Sequence, residues 1–145
     1  MNDGMAEITG LKPKTFGRRK VKPRACVADG KRHLRAFMSE VLEDLGFVTT
    51  ECASADELRS VLAGDLPDLI LLGTATDGIE PGRFLEILVR EAYDGKVLAV
   101  GARESIIIRA VQQVGEEYGL AMLPPLTTPF AAQTLRDRVA MLLPD

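Results

Sequence analysis

The sequence predicts a three-layer α/β sandwich around a five-stranded parallel sheet, and three observations lead there. Five short apolar runs alternate with longer segments of helical periodicity. Each switch falls beside a glycine, a proline or a helix-capping residue. The third run, Leu69-Ile70-Leu71-Leu72, is apolar without alternation, as a central parallel strand covered on both faces must be. Units of about 20 to 30 residues give each strand room for a right-handed helical crossover to the next.

Arg24 to Ala28 is the first strand. In the helix after it, Leu34, Phe37, Met38, Val41, Leu42 and Leu45 recur with helical spacing and form a stripe that faces the sheet. Gly46 stands where that helix needs a residue of positive φ to stop, and Phe47 to Cys52 supplies a second strand rich in β-branched residues. Ser54-Ala-Asp-Glu57 is a capping box for a short second helix ending near Gly64. After Pro67-Asp68 and the central strand comes a loop holding Thr74, Thr76, Asp77, Gly78, Pro81 and Gly82, then a helix from about Arg83 to Ala92. Lys96 to Val100 reads as strand four, Glu104 to Glu117 as helix four and Leu120 to Leu123 as strand five. Thr128-Pro129 is expected to open the last helix, with the threonine as N-cap and the proline in the first helical position. For five such units the natural arrangement is flavodoxin-like, of strand order 2-1-3-4-5. Its chemistry then gathers beyond the carboxyl ends of strands one and three.

At 145 residues, 46% hydrophobic and 27% charged, the chain has the size and mixture of one domain able to bury a core without staples. Two cysteines and one histidine cannot make a four-ligand zinc site unaided. No apolar run approaches the roughly 20 residues of a membrane helix, and no secretion signal follows the N-terminal charges. The expected setting is the cytoplasm, with Cys26 and Cys52 as reduced core residues on neighbouring strands. The net charge of −3 is uneven. Residues 1–24 carry seven basic side chains against Asp3 and Glu7, a balance of +5, which leaves 11 basic and 19 acidic residues, or −8, in the remainder. Residues 1–23 are expected to form a disordered basic arm, and 24–145 a folded body that repels nucleic acid.

Four segments at the predicted strand tips carry a resemblance: Val27-Ala-Asp-Gly30, Pro67-Asp-Leu-Ile-Leu-Leu-Gly73, Val97-Leu-Ala-Val-Gly-Ala-Arg103 and Leu126-Thr-Thr-Pro-Phe130. Over about residues 24 to 143 the layout resembles the receiver domain of bacterial two-component response regulators, CheY-like in fold. The resemblance implies an acidic pair after strand one, a phosphoacceptor aspartate ending strand three, a hydroxyl on strand four and a lysine before the last helix. In this sequence those positions hold Ala28 and Asp29, Gly73, Gly101 and Thr128, so only Asp29 remains. Phosphoryl transfer needs a nucleophile, a metal ion and groups that receive displaced charge. Glycine supplies no nucleophile. Asp29 is the only remaining candidate ligand for Mg²⁺, whose octahedral demand one carboxylate meets poorly. The expectation is a degenerate pseudo-receiver with no catalytic residues, no cofactor and no bound metal.

Other groups have plainer readings. Asp77 is a turn residue, or alternatively a relocated acceptor in a working phosphorelay receiver. Thr74 and Thr76 satisfy backbone groups or contact an anion, and His33 faces solvent. No glycine-rich phosphate loop follows any strand. Loss of side chains at Gly73 and Gly101 suggests a further alternative, a small-ligand sensor using an emptied pocket.

If the pocket is inert, surfaces carry the function. Helix four shows a core stripe of Ile107, Ala110, Val111 and Val114, which puts Ile106 and Ile108 on flanking faces. With Tyr118 they form the candidate interface. The resemblance implies docking or homodimerisation through helix four, strand five and helix five. The proline-rich segment from Gly119 to Phe130 looks like that of receiver-type domains attached to EAL-type cyclic-di-GMP phosphodiesterase modules, and the end at Leu-Leu-Pro-Asp145 reads as a domain boundary. The sequence therefore leads to a phosphorylation-independent module of a signalling protein, not an enzyme, whose partner is a protein or an attached output domain.

Overall fold

A computed structural model describes residues 22–75 and 80–144. The elements in chain order are β1 (Arg24–Ala28), α1 (Arg32–Leu45), β2 (Val48–Cys52), α2 (Ala55–Ala63), β3 (Leu69–Gly73), α3 (Pro81–Arg90), β4 (Lys96–Ala102), α4 (Ile106–Glu117), β5 (Ala121–Met122), β6 (Leu126–Thr128) and α5 (Ala132–Val139). All strands pair in parallel, in the order β2-β1-β3-β4-β5, with β6 also on β4. This is the 2-1-3-4-5 order of the flavodoxin-like, CheY-like fold.

The strand alternation splits the core into two layers. Ala25, Val27, Leu69, Leu71, Leu98 and Val100 pack with α1 and α5 on one face. Cys26, Ala28, Ile70, Leu72, Val97 and Ala99 pack with α2, α3 and α4 on the other. Every residue of β3 is buried, as its unbroken apolar run requires. Gly46 closes α1 at φ 107°. The capping box forms with one displacement: Ser54 Oγ accepts from Glu57 N at 3.2 Å, while Glu57 Oε1 accepts from Ala53 N rather than from the cap residue's own N–H.

Three expectations are corrected. The fifth strand position holds two short strands. β5 lies beside Lys96 and Val97, β6 beside Val100, Gly101 and Ala102, and Pro124-Pro125 between them lack the N–H groups a continuous ladder needs. Thr128 therefore ends a strand and does not cap a helix. The last helix begins later, with Ala131 at its N-cap and no side-chain cap, and the Thr128-Pro129 peptide is cis. The guanidinium of Arg138, on α5, donates to the carbonyls of Pro124 and Pro125 and so ties the divided strand to that helix. Finally, α4 starts two residues after the expected Glu104, which sits at φ 61°. Ser105 caps the helix, its Oγ accepting from Ile107 N and Ile108 N.

The phase of α4 is corrected as well. Ile108, Val111 and Gly115 face the core, and Ile108 is only 4% exposed. Ile107 and Val114, expected inside, are each 37% exposed. Residues 1–21, and with them most of the expected basic arm, lie outside the described residues, as do Thr76, Asp77 and Gly78. Pro23 is already buried, and its carbonyl accepts from Val48 N at 2.8 Å.

Candidate functional site

The carboxyl ends of the strands bring the expected positions together. Gly73 lies opposite Val100, Gly101 opposite Thr127 and Ala102 opposite Thr128, while Ala28 lies opposite Leu72 with Asp29 just beyond. Ala28 is fully buried, so the first position of the pair is part of the core.

Asp29 is 1% exposed, and its local geometry has a structural origin. Its Oδ1 accepts from Lys31 N at 2.7 Å, an Asx turn that leads the chain from β1 into α1. Its other oxygen lies over the backbone of Gly73. A β-carbon built on Gly73 falls on that oxygen, well inside van der Waals contact, and 2.6 Å from the carboxyl carbon. The same happens one strand over, where a β-carbon on Gly101 falls on the hydroxyl of Thr74. Thr74 is 2% exposed; its Oγ1 donates to Val100 O at 3.0 Å, the same carbonyl that accepts from Thr74 N at 2.8 Å.

These contacts correct the expectation of an emptied pocket. The volume released at Gly73 and Gly101 is filled by the side chains of Asp29 and Thr74, and the premise of a ligand sensor there is lost. Thr74 satisfies backbone groups, as the plainer reading expects, and His33 is exposed.

Burial pushes the Asp29 carboxyl above its usual range, against the opposing pull of the Lys31 N–H and the charges of Lys31 and Arg35. Arg35, which sequence reasoning did not single out, holds the corner together. It donates to Asp29 O at 2.8 Å and pairs with Glu51 on β2 at 2.8 Å. Among the described residues no three His, Cys, Asp or Glu side chains converge. Among the described residues the donor set near Gly73 is a single carboxylate, half committed to a backbone amide, which does not fit a divalent cation of octahedral preference.

Cys26 and Cys52 are fully buried, with sulfurs 3.1 Å apart. The hydrogen bond between them and burial push the Cys26 thiol up, so it stays protonated. Among the described residues no helix is long and apolar enough to cross a membrane.

The surface expectation is also relocated. Ile106 (76% exposed), Tyr118 (66%), Ile107, Ala110 and Val114 line a groove of about 750 Å³ with Leu85 and Val89 of α3. The groove lies on the side of α4 away from β5, for Gln112 faces β5, donating to Leu123 O at 3.0 Å, and a β-carbon on Gly115 would meet Met122 Sδ at 2.5 Å. Ile108 is not on this surface.

Neither a family model nor a curated protein matches the sequence. Solved structures match in shape. NtrX from Brucella abortus is 18% identical with a TM-score of 0.70; the match covers 85% of this chain and 27% of the NtrX chain. The chain thus spans about a quarter of that protein's length. The chemotaxis response regulator CheY4 of Vibrio cholerae is 17% identical with a TM-score of 0.67, over 85% of this chain and 100% of that one. The receiver domain of HemR from Leptospira biflexa is 20% identical with a TM-score of 0.68, over 83% and 94%. What these proteins share with this chain is the fold.

Proposed function

We propose that this chain is a receiver-like signalling module that works without phosphorylation and acts through protein contacts, in the reducing cytoplasm, to control a partner or an attached output domain such as a cyclic-di-GMP phosphodiesterase. It is not an enzyme and uses no Mg²⁺. One observation carries the reading. At the end of β3, where a receiver presents its acceptor, the chain has Gly73, and the carboxylate of Asp29 occupies the place a side chain would need. Such a centre lacks the nucleophile, and its remaining acid is folded inward. The fold shared with receiver domains supports a role in signalling, and the buried free thiols support a reducing compartment.

The test is incubation with acetyl phosphate, or with beryllofluoride, in the presence of Mg²⁺. Intact mass should show no phosphate adduct, and amide resonances along β1, β3 and β4 should not move. An adduct mapped to Asp77 would overturn the reading in favour of a relocated acceptor.

A further inference from the structure

We propose that the occupant of the α3–α4 face is a second copy of this chain, docked so that the two α4 helices run antiparallel across a two-fold axis. This rests on the reading above, that the module acts through protein contacts, and names the partner and the surface.

The apolar part is a stripe. Ile106, Ala110, Val114 and Tyr118 recur every four residues along α4 and its C-cap, a span of about 18 Å. Its two ends, Ile106 and Tyr118, are more exposed than Val114, and its middle is small at Ala110. An antiparallel copy sets Ile106 near the partner's Tyr118 and Ala110 near the partner's Val114, so that bulk at each end meets bulk and the backbones approach in the middle. Leu85 and Val89 of α3 extend the apolar floor on one side.

The polar part selects the occupant. Arg109, Gln113 and Glu117 run along the other rim of the stripe, all exposed, and read positive, neutral, negative. Among the described residues Arg109 forms no ion pair, and the Glu117 carboxylate accepts only from Gln113, at 3.2 Å. A two-fold axis between antiparallel helices keeps this rim on the same side in both copies. Arg109 then meets the partner's Glu117, Gln113 meets the partner's Gln113, and Glu117 meets the partner's Arg109. The row meets and matches itself when the second helix is an antiparallel copy; a parallel two-fold carries the two rows to opposite sides of the seam, where they do not pair. This interface uses the side of α4 opposite β5, not the helix four, strand five and helix five surface that the resemblance implies.

The measurement is sedimentation equilibrium of the full chain over a concentration series reaching the millimolar range, with thermal midpoints confirming that each variant is folded. Wild type should dimerise. Arg109→Glu and Glu117→Arg should each weaken the dimer about tenfold, since each replaces two symmetry-related attractions by repulsions. The double reversal Arg109→Glu/Glu117→Arg should recover to within about threefold of wild type, because the row again matches its own antiparallel copy. Ile106→Glu should be monomeric. A monomeric wild type, or a double reversal as weak as the single ones, overturns the pairing. Absence of a phosphate adduct would leave the functional reading standing in either case.

Discussion

Asp29 and Gly73 are coupled. The aspartate lies inward because the glycine leaves room for it, and the glycine is required because the aspartate lies inward. Adding a side chain at Gly73 therefore requires Asp29 to move. Gly73→Ala should cost about 1–3 kcal/mol in denaturant unfolding, the usual penalty of overpacking. In an Asp29→Ala background the same change should cost about 1 kcal/mol less, a coupling that a double-mutant cycle reads directly. Additive effects would show that the carboxylate swings aside without loss. Ionisation adds a second consequence. Burial raises the folded pKa of Asp29 above the unfolded value, so its charged form weakens the fold. That penalty is absent below the unfolded value near 3.8, grows as pH rises through the folded pKa, and is complete above it. Asn keeps an oxygen for the Lys31 N–H and cannot ionise. Asp29→Asn should therefore raise the thermal midpoint at neutral pH, and the gain should vanish in acid; the reverse trend would mean that Lys31 and Arg35 outweigh desolvation.

At the scale of elements, α4 separates what the sequence made legible from what it did not. The helix itself, the Gly46 terminator, the Ser54 cap and the apolar β3 were all readable, because each depends on local backbone chemistry or on an unbroken hydrophobic pattern. The phase of α4 was not. Ile106, Ile107 and Ile108 stand in a row, so a stripe through Ile107, Val111 and Val114 satisfies periodicity as well as one through Ile108, Val111 and Gly115. The tie is broken by Gly115, whose missing side chain admits Met122 of β5 and which a hydrophobicity pattern does not count as core. The collapse of Asp29 onto Gly73 was hidden for a similar reason: the two glycines, Gly73 and Gly101, look like a cavity until the side-chain rotamers of Asp29 and Thr74 fill it. The two phases are separable by experiment. Ile108→Ala should destabilise by about 2–4 kcal/mol as a core truncation, whereas Ile106→Ala should stay within about 0.5 kcal/mol. Equal losses at the two positions in urea unfolding would return the helix to its expected phase.

For the molecule as a whole, the side chains of Asp29 and Thr74 fill the space over Gly73 and Gly101 at the carboxyl end of the sheet, while an apolar groove opens on the helical layer between α3 and α4. A ligand that binds only the folded state must raise stability by mass action, so the state of the sheet end can be weighed without knowing any partner. If a divalent ion bound there with a Kd of about 1 mM, about 10 mM would add roughly 1.4 kcal/mol. In a domain of this size that is a rise in thermal midpoint of about 5 °C. Asp29 offers one oxygen held by Lys31 N and another pressed over Gly73, so the expected shift with Mg²⁺ is under about 1 °C, no larger than that of an ionic-strength control. A saturable rise of several degrees would mean that Asp29 swings outward to meet the ion. It should then be lost in Asp29→Asn, which would place the ion at the end of β1 and reopen the question of a switch there.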